Sequence, residues 1–539
     1  MTRKNDESMT EFYFNLLQET KLKYGEKTFL IMQCGSFYEV YGYEDDKDDD
    51  VYHYMQIMDT NGFLKGSHNG RSVLCAGWPK DKFINSSGRY TKKFYPLGWK
   101  LVLWVESGEK NKDGSKIRKF YKVFSPGTDT TFNNDSILTN NFNCIWVEKH
   151  GQDFHNKTPY INCGIASINT ITGKSIMYQY KYTSSAIDTS SVYEELERFN
   201  SINFPNEVII IHNLNDNELR NLINFSNLNI CQKINSYSIN YDNPYTKLIN
   251  NCESPKYQYE ILNDIFKPND PDIFMQSYGF NEFYYATCSY CLLLKFIWDC
   301  DNSLIEKLNV PIIESLDDKL VLRTHTLQQL HIINTVENHN LSSVCNLINK
   351  CVTNMGKRHF KQLLTSPSNN VEFLQYEYNT IEYTINNWNN MEQIRSVWLK
   401  GVRDIEKLYR KIILKIATPS DISFFYYNLC QLEELNQFVE NDKYYSKYIL
   451  HTCKSLPTKS INILKKFIET SIDVSKAKLI KDINESRHWD NASNPNYFYK
   501  NVNNQLDLYE KNYIEDFQKL NWIKQNITLQ IFKNNGCTQ

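Results

Sequence analysis

The sequence predicts a multidomain protein in which α/β domains come first and an all-α region follows. At 539 residues the chain exceeds what one hydrophobic core usually encloses. Short apolar runs typical of buried strands recur in the first half, and residues 207–211 are the clearest example. From about residue 271 onward the apolar residues instead recur at helical spacing. These three observations favour sheets followed by helices.

The charge balance excludes a globally basic protein. The 60 Lys and Arg residues are offset by 62 Asp and Glu residues, which gives a formal net charge of −2. This balance weighs mildly against a nucleic-acid partner, although a local basic stripe is sufficient to bind DNA. The sequence contains no secretory segment and no apolar run of about 18 residues, so we expect a soluble intracellular protein without a membrane partner.

The cysteines predict buried thiols. All 14 lack regular spacing, which argues against a disulfide framework and favours a reducing compartment. Cys288 and Cys291 form a Cys-x-x-Cys pair inside the apolar run 279–298, but no second pair stands at zinc spacing. The acidic stretch 45–50 is typical of a solvated loop. We therefore expect no metal site.

The first elements follow from local signals. Ser8-Met-Thr-Glu11 has the form of a capping box, and Gly25 provides a stop, so a helix is predicted near residues 9–24. Phe29 to Met32 form a short apolar run that predicts a buried strand. A second buried strand is predicted from Trp99 to Val105.

The segment after the first strand is the most informative part of the sequence. Gly35 and Ser36 interrupt the strand, and Phe37-Tyr-Glu39 follows directly. Because alternate side chains of an extended segment share a face, Phe37 and Glu39 are expected to point the same way. A Phe-x-Glu pattern taken alone usually means a core ring and a solvated carboxylate. Its interpretation therefore depends on motifs elsewhere in the chain.

A second α/β pattern begins near Tyr160. Residues 161–168 and 176–180 predict a hairpin. The turn between them contains Gly173-Lys-Ser175, which looks like the end of a phosphate-binding loop. That loop needs a glycine five residues earlier, where Ile168 stands, so we reject a nucleotide site here.

The C-terminal half is predicted to be helical. Thr353 is a good N-cap, and Pro367 ends the helix that follows. Between Val502 and Ile531 apolar side chains recur at spacings of three and four, which predicts one helix of about 45 Å. Such a helix is too long for a small domain to enclose, so we expect it to pack as a lever on a partner helix.

Four short motifs occur in a characteristic order. They are Gly35-Ser-Phe-Tyr-Glu39, Ala76-Gly-Trp-Pro79, Ser125-Pro-Gly-Thr128 and Thr353-Asn-Met-Gly-Lys-Arg358. Together they resemble the MutS family of DNA mismatch-recognition proteins, and the resemblance covers most of the chain. Within the family the sequence is most similar to the branch found in large DNA viruses and octocoral mitochondria. This similarity implies a location in the virion or in the cytoplasm of a host cell.

The resemblance implies a domain order. Residues 1–150 correspond to a small mixed α/β mismatch-binding domain, and residues 151–268 to a connector domain with a ribonuclease-H-like sheet. Residues 269–400 correspond to the helical core. Residues 401–539 correspond to long lever helices that run toward a clamp absent from this chain.

The resemblance also implies how DNA is recognised. Phe37 is expected to enter the duplex from the minor groove beside a mispaired or unpaired base, where a flat ring replaces the lost stacking. Matched DNA resists the resulting kink because its base steps are soundly stacked. Glu39 is expected to accept a hydrogen bond from the displaced base. The candidates for phosphate contacts, which are otherwise ordinary surface charges, are Arg89, Lys92, Lys93 and Lys100. A second basic cluster follows at 116–122.

The sequence departs from the family pattern at its C-terminal end. It contains no Gly-x-x-x-x-Gly-Lys-Ser/Thr loop, so we expect DNA binding without ATP hydrolysis and no catalytic residues. We expect no cofactor in this chain, since ATP and magnesium belong to the family's ATPase domain. Three explanations of this departure stay open: a truncated chain, one product of a split gene, or a shortened paralogue. The nuclease domain of the viral branch is not visible either.

Two functions from different classes remain at this point. The first is mismatch recognition by a homodimer that binds double-stranded DNA with a mismatch or small loop and engages downstream repair factors. The alternative is a MutS-like scaffold without ATPase activity that binds branched DNA or partner proteins. A third function, nucleolytic cleavage on the ribonuclease-H-like sheet, needs several clustered carboxylates for two metals, and the predicted strands supply only Glu207.

Overall fold

The chain divides into two compact units. The structure is a computed structural model, and it describes residues 8–80, 83, 90–110, 114, 116–129, 139–151, 159–183, 190–314, 319–320, 322, 324–332, 343–453, 457–481 and 496–534. The first unit comprises Met1–Lys350 and Arg358–Val371, and the second comprises Cys351–Lys357 and Glu372–Gln539. Both β-sheets lie in the first unit, whereas the described part of the second is built almost entirely from helices. The predicted fold class, α/β followed by all-α, is confirmed.

The first sheet contains the Phe-Tyr-Glu segment. Its strands are β1 (Thr28–Cys34), β2 (Phe37–Tyr43), β3 (Gly62–His68), β4 (Arg71–Pro79), β5 (Lys100–Lys110) and β6 (Lys116–Phe124). They lie in the order β3-β4-β2-β1-β5-β6. β1 and β5 are parallel, and the other neighbouring pairs are antiparallel. Both predicted strands are confirmed, as β1 and β5, although β5 continues beyond the predicted end.

Among the residues that the structure describes, two helices cover the two faces of this sheet. They are α1 (Met9–Tyr24) and α2 (Asp50–Met58). α1 begins with the predicted capping box, in which Ser8 Oγ accepts a hydrogen bond from the Glu11 amide at 3.0 Å. Tyr13 of α1 is fully buried and donates to the Leu30 carbonyl at 2.7 Å. α2 packs on the opposite face, in a core that includes Phe29 and Tyr54.

The second sheet also has six strands. They are β7 (Asn141–His150), β8 (Tyr160–Asn169), β9 (Ser175–Thr183), β10 (Pro205–His212), β11 (Lys233–Ser238) and β12 (Ile312–Ile313), and their order is β11-β10-β7-β8-β9-β12. The predicted hairpin is confirmed, because β8 and β9 pair in antiparallel register. β10 is buried from Glu207 to His212, as its continuous apolar run predicts.

Helices enclose the second sheet on both faces. They are α3 (Glu194–Ile202), α4 (Asp216–Phe225), α5 (Thr246–Cys252), α6 (Pro255–Phe266), α7 (Pro271–Ser277) and α8 (Tyr284–Cys300). α3 and α4 contribute Leu196, Phe199 and Leu222 to the core on one face. On the other face α8 lies directly against Gly164 of β8, whose carbonyl accepts a bond from Ser289 Oγ at 2.9 Å. A side chain at position 164 would collide with the backbone of α8.

Two segments pack with a different domain from the one to which the sequence assigns them. Residues 141–150 are assigned to the first domain by the sequence, but they form β7 inside the second sheet, between β8 and β10. α8 is assigned to the helical core, but it packs on the second sheet. Cys288 and Cys291 of α8 are buried, as predicted. The domain limits themselves stay predictions.

The remaining elements are helices. They are α9 (Thr324–Gln329), α10 (Val344–Ile348), α11 (Asn354–Thr365), α12 (Val371–Asn386), α13 (Trp388–Gln393), α14 (Ile405–Ile413), α15 (Pro419–Asn441), α16 (Lys443–Cys453), α17 (Thr458–Ser471), α18 (Val474–Leu479) and α19 (Asn504–Asn534). Thr353 caps α11, since its hydroxyl accepts the Gly356 amide at 3.1 Å. α19 has 31 residues, which confirms the predicted long helix, and it exposes Leu520 and Ile523. No helix in the described ranges is long and apolar enough to span a bilayer.

Candidate nucleic-acid interface

Phe37 stands at the end of the two central strands, where β1 turns back into β2. Its Cα pairs with Cys34 on β1 and with Pro79 on β4. The side chain is 48% exposed, whereas the next five residues of β2 are buried. A ring in this position contributes little to the core of its own domain. The interpretation of Phe37 as an ordinary core residue is therefore excluded.

Glu39 lies on the same face of β2 as Phe37, because two residues separate them along an extended strand. It is only 6% exposed. The Tyr41 hydroxyl donates to Glu39 Oε2 at 2.6 Å, and Lys65 Nζ on β3 forms a salt bridge with the same oxygen. Two donors of the same domain thus hold this oxygen of the carboxylate.

The partners of Glu39 keep its carboxylate charged. Burial raises the pKa of Glu39, but the hydrogen bonds from Lys65, Tyr41 and Cys34 lower it by more, so the pKa lies below its ordinary value of 4.5. An ionised carboxylate can only accept hydrogen bonds. This part of the sheet therefore presents an apolar ring beside a fixed acceptor.

The depressed pKa of Glu39 predicts a pH-dependent contribution to stability. The contribution is fully present above pH 4.5, and it is lost as the pH falls through the lowered pKa of the folded state. We expect K65M to reduce the free energy of unfolding by about 1–2 kcal/mol at pH 7, since a charge-assisted bond is lost and Lys65 is partly solvated. The difference from the wild type should shrink as the pH falls below 4.5.

Urea-unfolding midpoints measured in steps from neutral to acidic pH test this expectation. K119M is the matched control, because Lys119 pairs with Glu109 at 3.0 Å but both side chains are more than half exposed. It should leave the midpoint unchanged. A constant difference between K65M and the wild type at every pH would contradict a stabilising role for the charged pair.

One predicted phosphate contact is wrong. Lys100 is 2% exposed, and its Nζ donates to Asn235 Oδ1 at 3.4 Å and lies 5.5 Å from the ring centre of Phe296. As the first residue of β5 it pairs with Thr28, at the end of the sheet opposite Phe37. The second sheet covers this end, so the ammonium group has no access to DNA.

The other three phosphate candidates stay predictions or lie outside the described residues. Lys92 and Lys93 belong to a short 3-10 turn, Thr91–Lys93. Lys93 is exposed, and its Nζ lies 3.5 Å from the Ile57 carbonyl and 5.7 Å from the ring centre of Tyr90. Arg89 lies outside the described residues.

The structure places other basic residues at the Phe37 end of the sheet. Lys65 binds Glu39, and the Lys80 amide donates to the Ser36 carbonyl at 3.0 Å. Arg118 Nε donates to the Gln33 carbonyl at the end of β1, at 2.7 Å. Sequence reasoning missed Lys65 and Lys80, and it noted Arg118 only as part of a charge cluster. Strand register, which the sequence does not reveal, is what brings these side chains to one end.

Glu207, the carboxylate considered for nucleolytic chemistry, has a structural role. It is fully buried, and its Oε2 accepts bonds from Ser125 Oγ at 2.5 Å and from the Gly127 amide at 3.0 Å. Its Oε1 accepts Asn235 Nδ2 at 2.9 Å. Glu207 thus ties the Ser-Pro-Gly-Thr loop to the second sheet. Within the described ranges no group of three or more His, Cys, Asp or Glu side chains could hold a metal ion.

The fold and this end of the first sheet define a multidomain protein with a candidate nucleic-acid interface. A family model described as MutS domain III matches residues 325–534. A putative DNA mismatch repair protein of Acanthamoeba polyphaga mimivirus, a MutS homologue, is 24% identical over 95% of this chain and 46% of its own length. The DNA mismatch repair protein MutS of Halothermothrix orenii is 22% identical over 78% of this chain and 42% of its own. MutS of Wolbachia pipientis wMel is 23% identical over 82% of this chain and 47% of its own length.

These similarities extend across both units. Residues 325–534 match the family model of MutS domain III, and the chain is similar to MutS proteins over most of its length. It spans about half the length of the curated relatives that it matches. Assignment to the viral branch stays a prediction, and the similarity to the mimivirus protein favours it.

Proposed function

We propose that this chain recognises mispaired or unpaired bases in double-stranded DNA for mismatch repair, by inserting Phe37 from the minor groove and kinking the duplex. The observation that carries the proposal is the exposed Phe37 ring beside the buried, charged Glu39. The names of the relatives, which are DNA mismatch repair proteins, support the same function.

Insertion gives the Phe37 ring the burial that it lacks in the free protein. Stacking of an aromatic side chain on a base contributes roughly 1–3 kcal/mol, whichever base it meets. A matched base step must first be unstacked at a cost of a few kcal/mol, whereas a mismatch has already lost part of that stacking. Discrimination therefore depends on how easily the site deforms.

Glu39 supplies the polar half of the proposed contact. A carboxylate near phosphates is unfavourable unless a donor binds it. Tyr41 and Lys65 both bind Oε2, so we assign Oε1 as the acceptor for a donor on the displaced base. The ammonium group of Lys65 also offsets the negative charge as DNA approaches, which makes this acidic side chain tolerable in the interface.

The remaining parts of the proposal concern partners. We propose a homodimer that engages downstream repair factors, in the virion or the host cytoplasm of a large DNA virus. We propose that this chain binds DNA without a cofactor of its own, and we assign ATP and magnesium to the ATPase domain of the family. The scaffold that binds branched DNA or partner proteins remains the second candidate.

Comparative DNA binding tests the proposed function. Fluorescence anisotropy titrations at one fixed salt concentration should give a several-fold lower Kd for duplexes with a G·T pair or an unpaired T than for a matched duplex. A four-way junction of the same length serves as the branched competitor. Equal affinity for all linear duplexes with tighter binding of the junction would support the scaffold. Equal affinity for every DNA would overturn mismatch recognition and the binding of branched DNA.

A further inference from the structure

The turn that carries Phe37 is held by a side chain from a different hairpin. Gly35, in the turn between β1 and β2, donates its backbone N–H to Glu106 Oε1 at 2.9 Å. Glu106 lies on β5, which flanks β1 on the side away from β2. A single carboxylate thus connects the turn to the neighbouring strand.

Four other residues contact this carboxylate or the turn. Together with Glu106 they form the Glu106 network, whose other members are Gln33, Gly35, Lys116 and Arg118. Lys116 Nζ donates to Glu106 Oε2 at 2.7 Å, and Arg118 Nη2 lies 3.5 Å from Oε1. Gln33 accepts the Glu106 amide on Oε1 at 3.2 Å and donates from Nε2 to the Gly35 carbonyl at 3.1 Å. Both polar groups of the Gly35 backbone are therefore bound.

Two side chains of the network are largely shielded from water, and the network selects one backbone conformation. The side chains of Glu106 and Arg118 are each only 11% exposed, so their interaction is not an ordinary surface salt bridge. Gly35 has φ +63°, the left-handed region that favours glycine. The next carbonyl, of Ser36, is held by the Lys80 amide at 3.0 Å. The backbone on the N-terminal side of Phe37 is thus constrained at consecutive positions.

The charge of the network also suits a DNA interface. Burial raises the pKa of Glu106, but the Gly35 amide and the Lys116 and Arg118 charges lower it by more, which keeps the carboxylate ionised. One carboxylate against two cations leaves a net positive charge at the turn that precedes Phe37. Lys116 is half exposed, so this charge is accessible from solution.

We propose that Glu106 is a positioning residue for DNA recognition, which holds the β1–β2 turn in the conformation from which the Phe37 ring enters a weakened base step. The inference rests on the proposed function. An insertion that tolerates little misplacement benefits from a preorganised turn, because ordering a loose turn on binding opposes affinity. Matched DNA, which does not accept the ring, gains nothing from this ordering. Glu106 should therefore affect preference more than overall affinity.

Three variants of the full chain test the role of Glu106. We expect E106A to reduce the preference for an unpaired-T duplex over a matched duplex by about fivefold or more, while the Kd for matched DNA stays within about twofold. E106Q should retain most of the preference, because its amide oxygen can still accept the Gly35 N–H. E109A is the matched control, since Glu109 pairs with Lys119 on the same two strands but is exposed, and it should behave as the wild type.

A second readout without DNA separates positioning from general damage. Amide hydrogen exchange at residues 34–37 should be faster in E106A than in the wild type, and exchange in β7 and β10 should be unchanged. If E106A does not fold, E106D replaces it, because aspartate keeps the charge but retracts the carboxylate from Gly35. A wild-type preference that E106A, or E106D in its place, keeps in full would overturn the role of Glu106 alone. A wild type without any preference would overturn the proposed function and this role with it.

Discussion

F37A should abolish the preference for unpaired-T and G·T duplexes and leave affinity for matched DNA within about twofold. The ring is 48% exposed in the free protein, so its removal leaves no cavity in the core. Its loss removes the stacking proposed at the lesion, which is worth roughly 1–3 kcal/mol or about 5- to 150-fold in Kd. Affinity for matched DNA depends on phosphate contacts that the ring does not make. Anisotropy titrations of F37A and of the wild type with the unpaired-T, G·T and matched duplexes measure the effect.

L97A is the control for this prediction. Leu97 is 49% exposed in the same domain, but it lies near Lys27, at the opposite end of β1 from Phe37. Loss of an equally exposed apolar side chain there should leave the preference intact. The proposed insertion is contradicted if F37A keeps the wild-type preference, or if L97A loses as much of it as F37A does.

E207A should produce the largest loss of stability among the substitutions considered. The change removes the fully buried carboxylate that accepts bonds from Ser125, Gly127 and Asn235, and it leaves the Ser125 hydroxyl with only the Thr128 hydroxyl, at 3.0 Å. Each buried donor without an acceptor costs about 1–3 kcal/mol, so we expect a loss of about 3–5 kcal/mol. Hydrogen exchange of β7 and β10 as a function of urea concentration measures the effect locally, which matters because a chain of two units need not unfold in one step.

E260A provides the comparison for this stability prediction. Glu260 also belongs to the first unit, but it is exposed and lies 4.0 Å from Lys256 on the same helix. Its removal should not change the urea dependence of exchange. Equal stability of E207A and the wild type would show that the Ser-Pro-Gly-Thr loop does not depend on this carboxylate.

The features that the sequence predicts well are those that depend on local geometry. Phe37 and Glu39 share a face because side chains of a strand alternate, whatever the strand pairs with. The helix α1 follows from a capping box formed within four residues. The hairpin of β8 and β9 likewise joins segments that are adjacent in the chain. Each of these predictions needs no knowledge of the sheet order.

The features that the sequence does not reveal depend on strand order and register. Lys65 reaches Glu39 across β4 from 26 residues away, and Glu106 reaches Gly35 across β1 from 71 residues away. Neither pairing leaves a local pattern. Lys100 fails as a phosphate contact for a related reason, because a lysine at the start of a strand is usually exposed, whereas this one is covered by the second sheet.

Photocrosslinking from position 37 tests the central claim most directly. With p-benzoyl-phenylalanine in place of Phe37, irradiation of the protein bound to a duplex with one unpaired T should give adducts at that nucleotide and its immediate neighbours. The same protein bound to matched DNA should give weak adducts without a preferred position. Strong adducts spread evenly along the unpaired-T duplex, or a bound complex that yields none, would contradict the insertion of Phe37 at the lesion.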